Sequence, residues 1–318
     1  MKANAVPMAV GQSHAKVIIV GEHAAVFGYP VLAAPLLALT VTAEARPAEG
    51  PITLDTPLYT GRLHAAPAAL DGHKALVRAT FAKLERPARD LALRVRSNIP
   101  IARGLGSSAA IAASIVRALY RSSGAQLDDA VLFDLMSVAE SFAHGYPSGV
   151  DAAAVMAEGL ISFRKGMAVE SVGLHGPLHF VIADSGVPSA TREAVDGVRR
   201  RLALEATDTR ARLAMLGRLA EEAKAAAAQG DACRLGDAMN DAQEVLQALG
   251  VSHYALERLI DATRKAGALG SKLTGGGHGG CVLALAQDRE AARHLALVLR
   301  SHGATSTWLA SLGGEGSA

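Results

Sequence analysis

Gly104-Leu105-Gly106-Ser107-Ser108-Ala109-Ala110, with Pro100 just ahead of it, is a glycine-rich loop that empties into an alanine-rich helix. The apolar, alternating segment Leu91 to Ile99 precedes it and reads as a strand. The order is therefore strand, glycine loop, helix. Glycine lets a backbone approach a phosphate closely. The unpaired amides at the start of the helix then face an anion with the positive end of the helix dipole behind them. Ser107 and Ser108 add hydroxyls suited to a phosphate oxygen or to a phosphate-bound magnesium ion. The loop reads as a nucleoside triphosphate site. It is not a Walker A loop, since no Gly-Lys dipeptide occurs anywhere in the chain. Taken alone, the stretch also fits a serine-capped helix with a flexible lead-in.

Working outward, the 318 residues suffice for one large domain or two ordinary ones. Half of them are apolar but only 4% are aromatic, so the core is built from Ala, Leu and Val. The net charge of +2, from 32 basic and 30 acidic residues, gives no electrostatic reason to expect nucleic acid or an acidic membrane surface. Arg199-Arg200-Arg201 lies in a helical pattern near Glu193 and Asp196 and reads as a solvated helix face. Cys233 and Cys281 form no disulfide framework and match no zinc spacing, which fits a reducing, cytoplasmic setting. No signal peptide is expected behind Lys2. Residues 24–43 carry no charge, but Gly28, Pro30 and Pro35 interrupt them, so a loop and a buried strand are expected rather than a spanning helix.

Strands are expected at Lys16 to Val20, Leu37 to Ala45, Leu160 to Phe163 and Phe180 to Asp184, with a hairpin within Pro51 to Leu63. Helical periodicity covers Ala69 to Leu84, Ser108 to Tyr120 and Leu127 to Ala143. Ser189 to Gly267 is almost wholly helical, with Gly230 as punctuation. A second glycine cluster, residues 275–280, leads into a strand at Cys281 to Ala286. A helix (Arg289 to Ser301) and a last strand (Thr305 to Leu309) follow. Only the tail from Gly313 to Ala318 reads as disordered. Strands crowd the first half and helices the second, an α+β architecture in two lobes, 1–170 and 171–318.

Four separated segments hold the residue types that phosphoryl transfer requires: a phosphate cradle, hard oxygen ligands, a cation and a proton acceptor. The first is Lys16 with Gly21-Glu22-His23 and Gly28-Tyr29-Pro30. The second is the glycine loop above. The third is Glu140 followed by His144-Gly145-Tyr146-Pro147-Ser148-Gly149-Val150-Asp151. The fourth is Lys272-Leu273-Thr274-Gly275-Gly276-Gly277-His278-Gly279-Gly280-Cys281. Each has a plain structural reading. Glu140 would be a solvated helix residue, Asp151 a helix cap, Lys16 a strand-edge charge, and His144 a cation at a helix C-terminus.

Together and in this order, the four segments resemble the motifs of the GHMP kinase superfamily, most of all its mevalonate kinases, over residues 10 to 286. The resemblance implies a two-lobed fold. Its N-terminal lobe would be similar to ribosomal protein S5 domain 2, and its C-terminal lobe ferredoxin-like with extra helices. It implies small-molecule substrates, mevalonate and ATP, with Mg²⁺ as cofactor, no nucleic acid or membrane partner, and a homodimer as the assembly left open. By the same resemblance Asp151 is the catalytic base and Lys16 the catalytic cation. Ser108 and Glu140 are the Mg²⁺ ligands, eleven positions separating Glu140 from Asp151 as in the family. ATP contacts are implied for Pro100, Gly104, Leu105, Gly106, Ser107, Ser108, Ala109, Gly275, Gly276 and Gly277, and substrate contacts for Glu22, His23, Asp151 and Thr191. Gly276, where the family has alanine, reads as a mild change, while His278 places a bulky, titratable side chain on a loop of glycines. Another kinase of the superfamily, acting on phosphomevalonate, homoserine or a sugar, remains an alternative. So does a non-catalytic binding protein on the same fold, although the latter needs no base.

Overall fold

The computed structural model describes residues 8–144 and 148–313. In chain order the strands β1 (Ala9–Val20), β2 (Val31–Pro47), β3 (Thr53–Thr56) and β4 (Tyr59–Arg62) precede helix α1 (Asp71–Lys83) and strand β5 (Leu91–Ser97). Helices α2 (Ser107–Ser123), α3 (Asp129–His144) and α4 (Val150–Met156) follow, then strands β6 (Ile161–Phe163), β7 (Glu170–Ser171) and β8 (Leu178–Asp184). The chain continues through helices α5 (Thr191–Leu204), α6 (Ala206–Gln229), α7 (Ala232–Ala248) and α8 (Tyr254–Lys265). It ends with β9 (Gly270–Thr274), β10 (Cys281–Ala286), α9 (Arg289–Ser301) and β11 (Ser306–Leu312). The fold class is α+β, as expected.

The chain gathers into two compact units that are not consecutive in sequence. Unit 1 comprises the residues up to Ala15, Leu39–Ile99 and Ser107–Met156. In it β3 pairs antiparallel with β4 and parallel with β5, and β5 pairs antiparallel with Val41–Pro47 of β2. Helices α1, α2, α3 and α4 pack on one another. Leu91, Leu93 and Val95 of β5 are buried and alternate with more exposed residues, the period-2 pattern of a half-buried strand. Ser97 falls outside that face: it is exposed, and its hydroxyl accepts from the Ile99 amide at 3.0 Å. Helix α2 buries Ala110, Ala112, Ala113, Ile115, Val116 and Leu119; its small side chains let α1, α3 and α4 pack close around it.

Unit 2 comprises Lys16–Ala38, Pro100–Gly106 and the residues from Ala157 onward. Its four-stranded antiparallel sheet has the order β11-β8-β10-β9, with Cys281 opposite both Asp184 and Thr274. Helices α7 and α8 pack on β9, and α9 packs on β8, β10 and β11. Strands β9 and β10 are buried along their whole length. In this unit Val31–Ala33 of β2 also pairs with β6, which pairs with β7.

The uncharged stretch 24–43 is a 3-10 turn (Ala24–Phe27), a left-handed Gly28 and the first part of β2. Among the described residues no helix is long and apolar enough to cross a membrane. Strand β2 begins six residues earlier than the alternation suggests because Val31–Leu36 is buried throughout, which hides a period of two. Pro35, which cannot donate to a ladder, falls between the stretches that pair with β6 and β5. Strands β7 and β9 and helix α4 carry no separate signal in the sequence reading. The expected disorder beyond Gly313, and the turn Gly145-Tyr146-Pro147, lie outside the described residues.

Candidate active site

In unit 2 the glycine part of the loop, Pro100–Gly106, is laid against the second glycine loop, backbone on backbone. A Cβ on Gly104 would stand 3.0 Å from the Thr274 oxygen, and one on Gly275 would stand 2.7 Å from the Gly104 Cα. Both have φ in the left-handed region, +77° and +88°. Two backbones at this distance leave no room for side chains, so glycine is required on both sides. Gly106 (φ +73°) is held equally close to Lys16: a Cβ there would lie 2.7 Å from the lysine's Cγ. The Lys16 amide donates to the Leu105 oxygen at 3.0 Å, and the side chain is buried. Arg103 forms an ion pair with Asp184 at 2.8 Å, and the Ser189 amide donates to the Ala102 oxygen at 2.8 Å, so the loop is also anchored to the end of β8 and the turn before α5.

The second loop is tied just as firmly. The Thr274 hydroxyl accepts from the Ile18 amide at 2.9 Å and donates to the Ile18 oxygen at 3.0 Å, which extends strand-like bonding between β9 and β1 through a side chain. Ser185 Oγ donates to the Gly280 oxygen at 2.7 Å. His278 (φ +53°) donates its amide to the Val251 oxygen at 2.8 Å, and its Nε2 lies 3.0 Å from the Gly250 oxygen. The histidine is thus a clip between the loop and the turn after α7. Gly276 is not a mild change. A Cβ there would fall 2.3 Å from Thr191 Oγ1 and 2.6 Å from the Thr191 Cα, so the first residue of α5 occupies the space an alanine would need.

Glu22, His23 and Lys272 form a dry polar cluster beside these loops. Lys272 Nζ donates to Glu22 Oε1, and to its neighbour's carbonyl, Leu273 O, at 2.6 Å. Burial raises the Glu22 carboxyl above its ordinary range, and the lysine partner works against that rise. Burial likewise lowers the Lys272 ammonium, opposed by Glu22. His23 has a left-handed backbone (φ +62°), and its Nε2 lies 3.0 Å from the Gly276 oxygen. Because a carbonyl only accepts, Nε2 carries the proton and Nδ1 is a bare lone pair. Burial lowers the His23 pKa to about 4, with His278 and Lys272 contributing in the same direction, so the ring is neutral at physiological pH. Glu22 Oε2 and His23 Nδ1 are buried and have no hydrogen-bond partner among the described residues. Both are acceptors.

In unit 1, Ser108, Ala109, Glu140 and Asp151 line one small cavity of about 10 Å³, together with Ala112, Met136, Ala139 and Ala152. That is room for one water or one ion. Ser107 and Ser108 open α2, Glu140 is buried near the end of α3, and Asp151 sits in the first turn of α4. Every polar group there is a hard oxygen donor, the chemistry Mg²⁺ selects. Among the described residues no group of three or more His, Cys, Asp and Glu could enclose a metal. A second cavity, of about 290 Å³, shares Ser108 and is lined by Ala68, Ala69, Asp71, Gly72, His73, Ala139 and Phe142.

The expected residues thus fall into two sets, with Asp151 in unit 1 and Lys16 in unit 2. The His144 side chain lies outside the described residues. Sequence reasoning missed the roles of Lys272, Thr274, Arg103 and Asp184. Only Lys272 left a signal there, as a lysine inside an otherwise apolar and glycine-rich run. Arg200 and Arg201 of the basic run are exposed, as expected for a solvated face, and Arg201 also donates to the Ala248 oxygen at 3.3 Å.

Residues 73–159 match the family described as GHMP kinases N terminal domain, and residues 223–305 match GHMP kinases C terminal. The chain is 38% identical to a mevalonate kinase of Aeropyrum pernix over 95% of each sequence. It is 31% identical to mevalonate kinase from methicillin-resistant Staphylococcus aureus MRSA252, whose crystal structure it matches with a TM-score of 0.72 over 96% of this chain and 99% of that one. Its fold also follows L. major mevalonate kinase, crystallised in complex with R-mevalonate, at a TM-score of 0.81 and 24% identity, over 96% of this chain and 95% of that one.

Between the pKa of an ordinary histidine and that of buried His23, the unfolded chain binds a proton that the native state does not. Stability is therefore full above pH 6.5 and falls as the pH drops toward about 4. Urea unfolding across this range should show that slope reduced in His23→Gln, which keeps a donor for Gly276 but cannot titrate. Equal slopes in the two proteins would show that His23 is not buried neutral.

Proposed function

The chain belongs to the GHMP kinase family, and from that premise we propose that it transfers the γ-phosphoryl group of ATP to the primary hydroxyl of mevalonate, giving 5-phosphomevalonate and ADP for isoprenoid synthesis. The observation that carries this reading is the convergence of a serine, a glutamate and an aspartate on one ion-sized cavity at the start of α2. A non-catalytic binding protein has no need of the aspartate as a base. Phosphoryl transfer is mostly positioning and charge neutralisation, and it needs each member.

In the proposed reaction Asp151 accepts the proton of the substrate hydroxyl as its oxygen bonds to the γ-phosphorus and the bond to ADP breaks. Lys16 offsets the negative charge of the transition state. Ser108 and Glu140 are the residues that would hold Mg²⁺, whose charge there neutralises the outer phosphates. The glycine loops, Pro100–Gly106 with Ser107, Ser108 and Ala109, and Gly275–Gly277, offer backbone amides to the nucleotide. Glu22 Oε2 and His23 Nδ1, buried acceptors without protein donors, suit the hydroxyl groups of mevalonate, with Thr191 beside them. The lobes proposed are 1–170 and 171–318, although the compact units interleave across that division, with Lys16–Ala38 and Pro100–Gly106 belonging to the second. We place the enzyme in the cytoplasm, with no nucleic acid or membrane partner and a homodimer as the assembly open to it.

A coupled ADP-release assay over mevalonate, phosphomevalonate, homoserine and galactose should give turnover with mevalonate far above the rest. Turnover confined to another acceptor would overturn the substrate. Asp151→Asn should lower kcat by about 100- to 10,000-fold while ATP binding persists. A near-normal kcat in that folded variant would remove Asp151 as the base.

Ser108→Ala and Glu140→Gln should each raise the Mg²⁺ concentration needed for half-maximal rate, since each removes a hard oxygen donor. An unchanged Mg²⁺ titration would show that the substituted residue is not a ligand.

A further inference from the structure

Strand β9 is buried at all five positions, and at its centre stands a lysine with no solvent exposure. Taking an ammonium ion out of water is costly, and packing alone would be served by Leu or Met. Register places Lys272 opposite Leu283 of the equally buried β10, with Leu273 beside it. The strand gives no structural reason for a charge. Among the described residues, the charge has one counter-ion in contact, Glu22 Oε1, and a carbonyl, Leu273 O. Among the described residues, the other charged or titratable groups that act on this cluster are Lys16, which attracts Glu22 and repels Lys272, and His23, which burial keeps neutral with His278 and Lys272 adding in the same direction.

Glu22 is asymmetric. One carboxylate oxygen is held by Lys272, and the other is buried without a partner. A carboxyl group in such surroundings stays ionised, and keeps that second oxygen as a pure acceptor, only while a cation holds the first. Without the cation, burial favours the protonated acid, whose hydroxyl donates instead of accepting. We propose that Lys272 is a positioning residue for the kinase reaction, acting through Glu22: it fixes the carboxylate so that Oε2 receives a hydroxyl of the phosphoryl acceptor. The inference rests on the reading of Glu22 as a substrate contact.

The test uses the full chain and steady-state kinetics of Lys272→Met, Lys272→Arg, Glu22→Gln and the double variant Lys272→Met/Glu22→Gln, with folding checked by circular dichroism and Tm. Lys272→Met should raise KM for mevalonate at least tenfold and leave KM for ATP within twofold. Its kcat/KM for mevalonate should climb toward alkaline pH, as the unsupported Glu22 loses its proton, a limb absent from the native profile. Lys272→Arg should recover most of the affinity, because it keeps the charge. Glu22→Gln should lose affinity without the alkaline recovery. The double variant should be no worse than Glu22→Gln, because Lys272 has no other route to the substrate. That comparison still decides the matter if the single methionine variant does not fold, since the double variant buries a neutral pair. A Lys272→Met protein with lowered Tm but native KM and pH profile overturns the proposal, as does an additive double variant. A Glu22→Gln enzyme with native KM would instead remove Glu22 from the substrate.

Discussion

The contact on which unit 2 depends is the one between Gly104 and Gly275, two left-handed residues whose backbones meet where no Cβ fits. Close-packed interiors do not yield gradually, so a contact of this kind fixes the relative place of everything attached to it. Through Thr274 it reaches Ile18 and the strand that carries Lys16. Gly276 carries it to His23 and to the first residue of α5. On the other side, Ala102 and Arg103 carry it to Ser189 and Asp184. The loops are therefore glycine-rich because each needs the other at backbone distance.

The same closeness explains the electrostatics. Once the loops exclude water, an ionisable group among them is either neutral or held by a partner. His23 takes the first course and Glu22 the second. The result is a site in which acceptors are aimed without being spent on the protein itself.

Much of this was legible from residues alone. Segments with a strong period or a glycine punctuation, such as β5, α2, α9 and the start of α7 after Gly230, stand where the pattern puts them. Ser108, Glu140 and Asp151 line one cavity although they come from three separate helices, because the motif order encodes their convergence. What stayed hidden has physical causes. Strand β9 reads as the lead into a glycine run, since Lys272 breaks its apolar pattern and its partner Glu22 is 250 positions away. Helix α4 is too short, at seven residues, to show a period. Gly276 looked replaceable because the obstacle is Thr191, which only the fold brings near. His278 read as a bulky, titratable side chain on the loop, and only the fold brings the Gly250 carbonyl to its ring nitrogen.

That the nucleotide site is built on the mutual fit of two glycine loops is tested most directly by Gly275→Ala and the affinity of a non-hydrolysable ATP analogue with Mg²⁺, measured by calorimetry. The added methyl would meet the Gly104 backbone at 2.7–2.8 Å and strain a left-handed residue. The predicted result is a folded protein whose affinity for the analogue falls at least tenfold. Native affinity in a folded Gly275→Ala protein would contradict it.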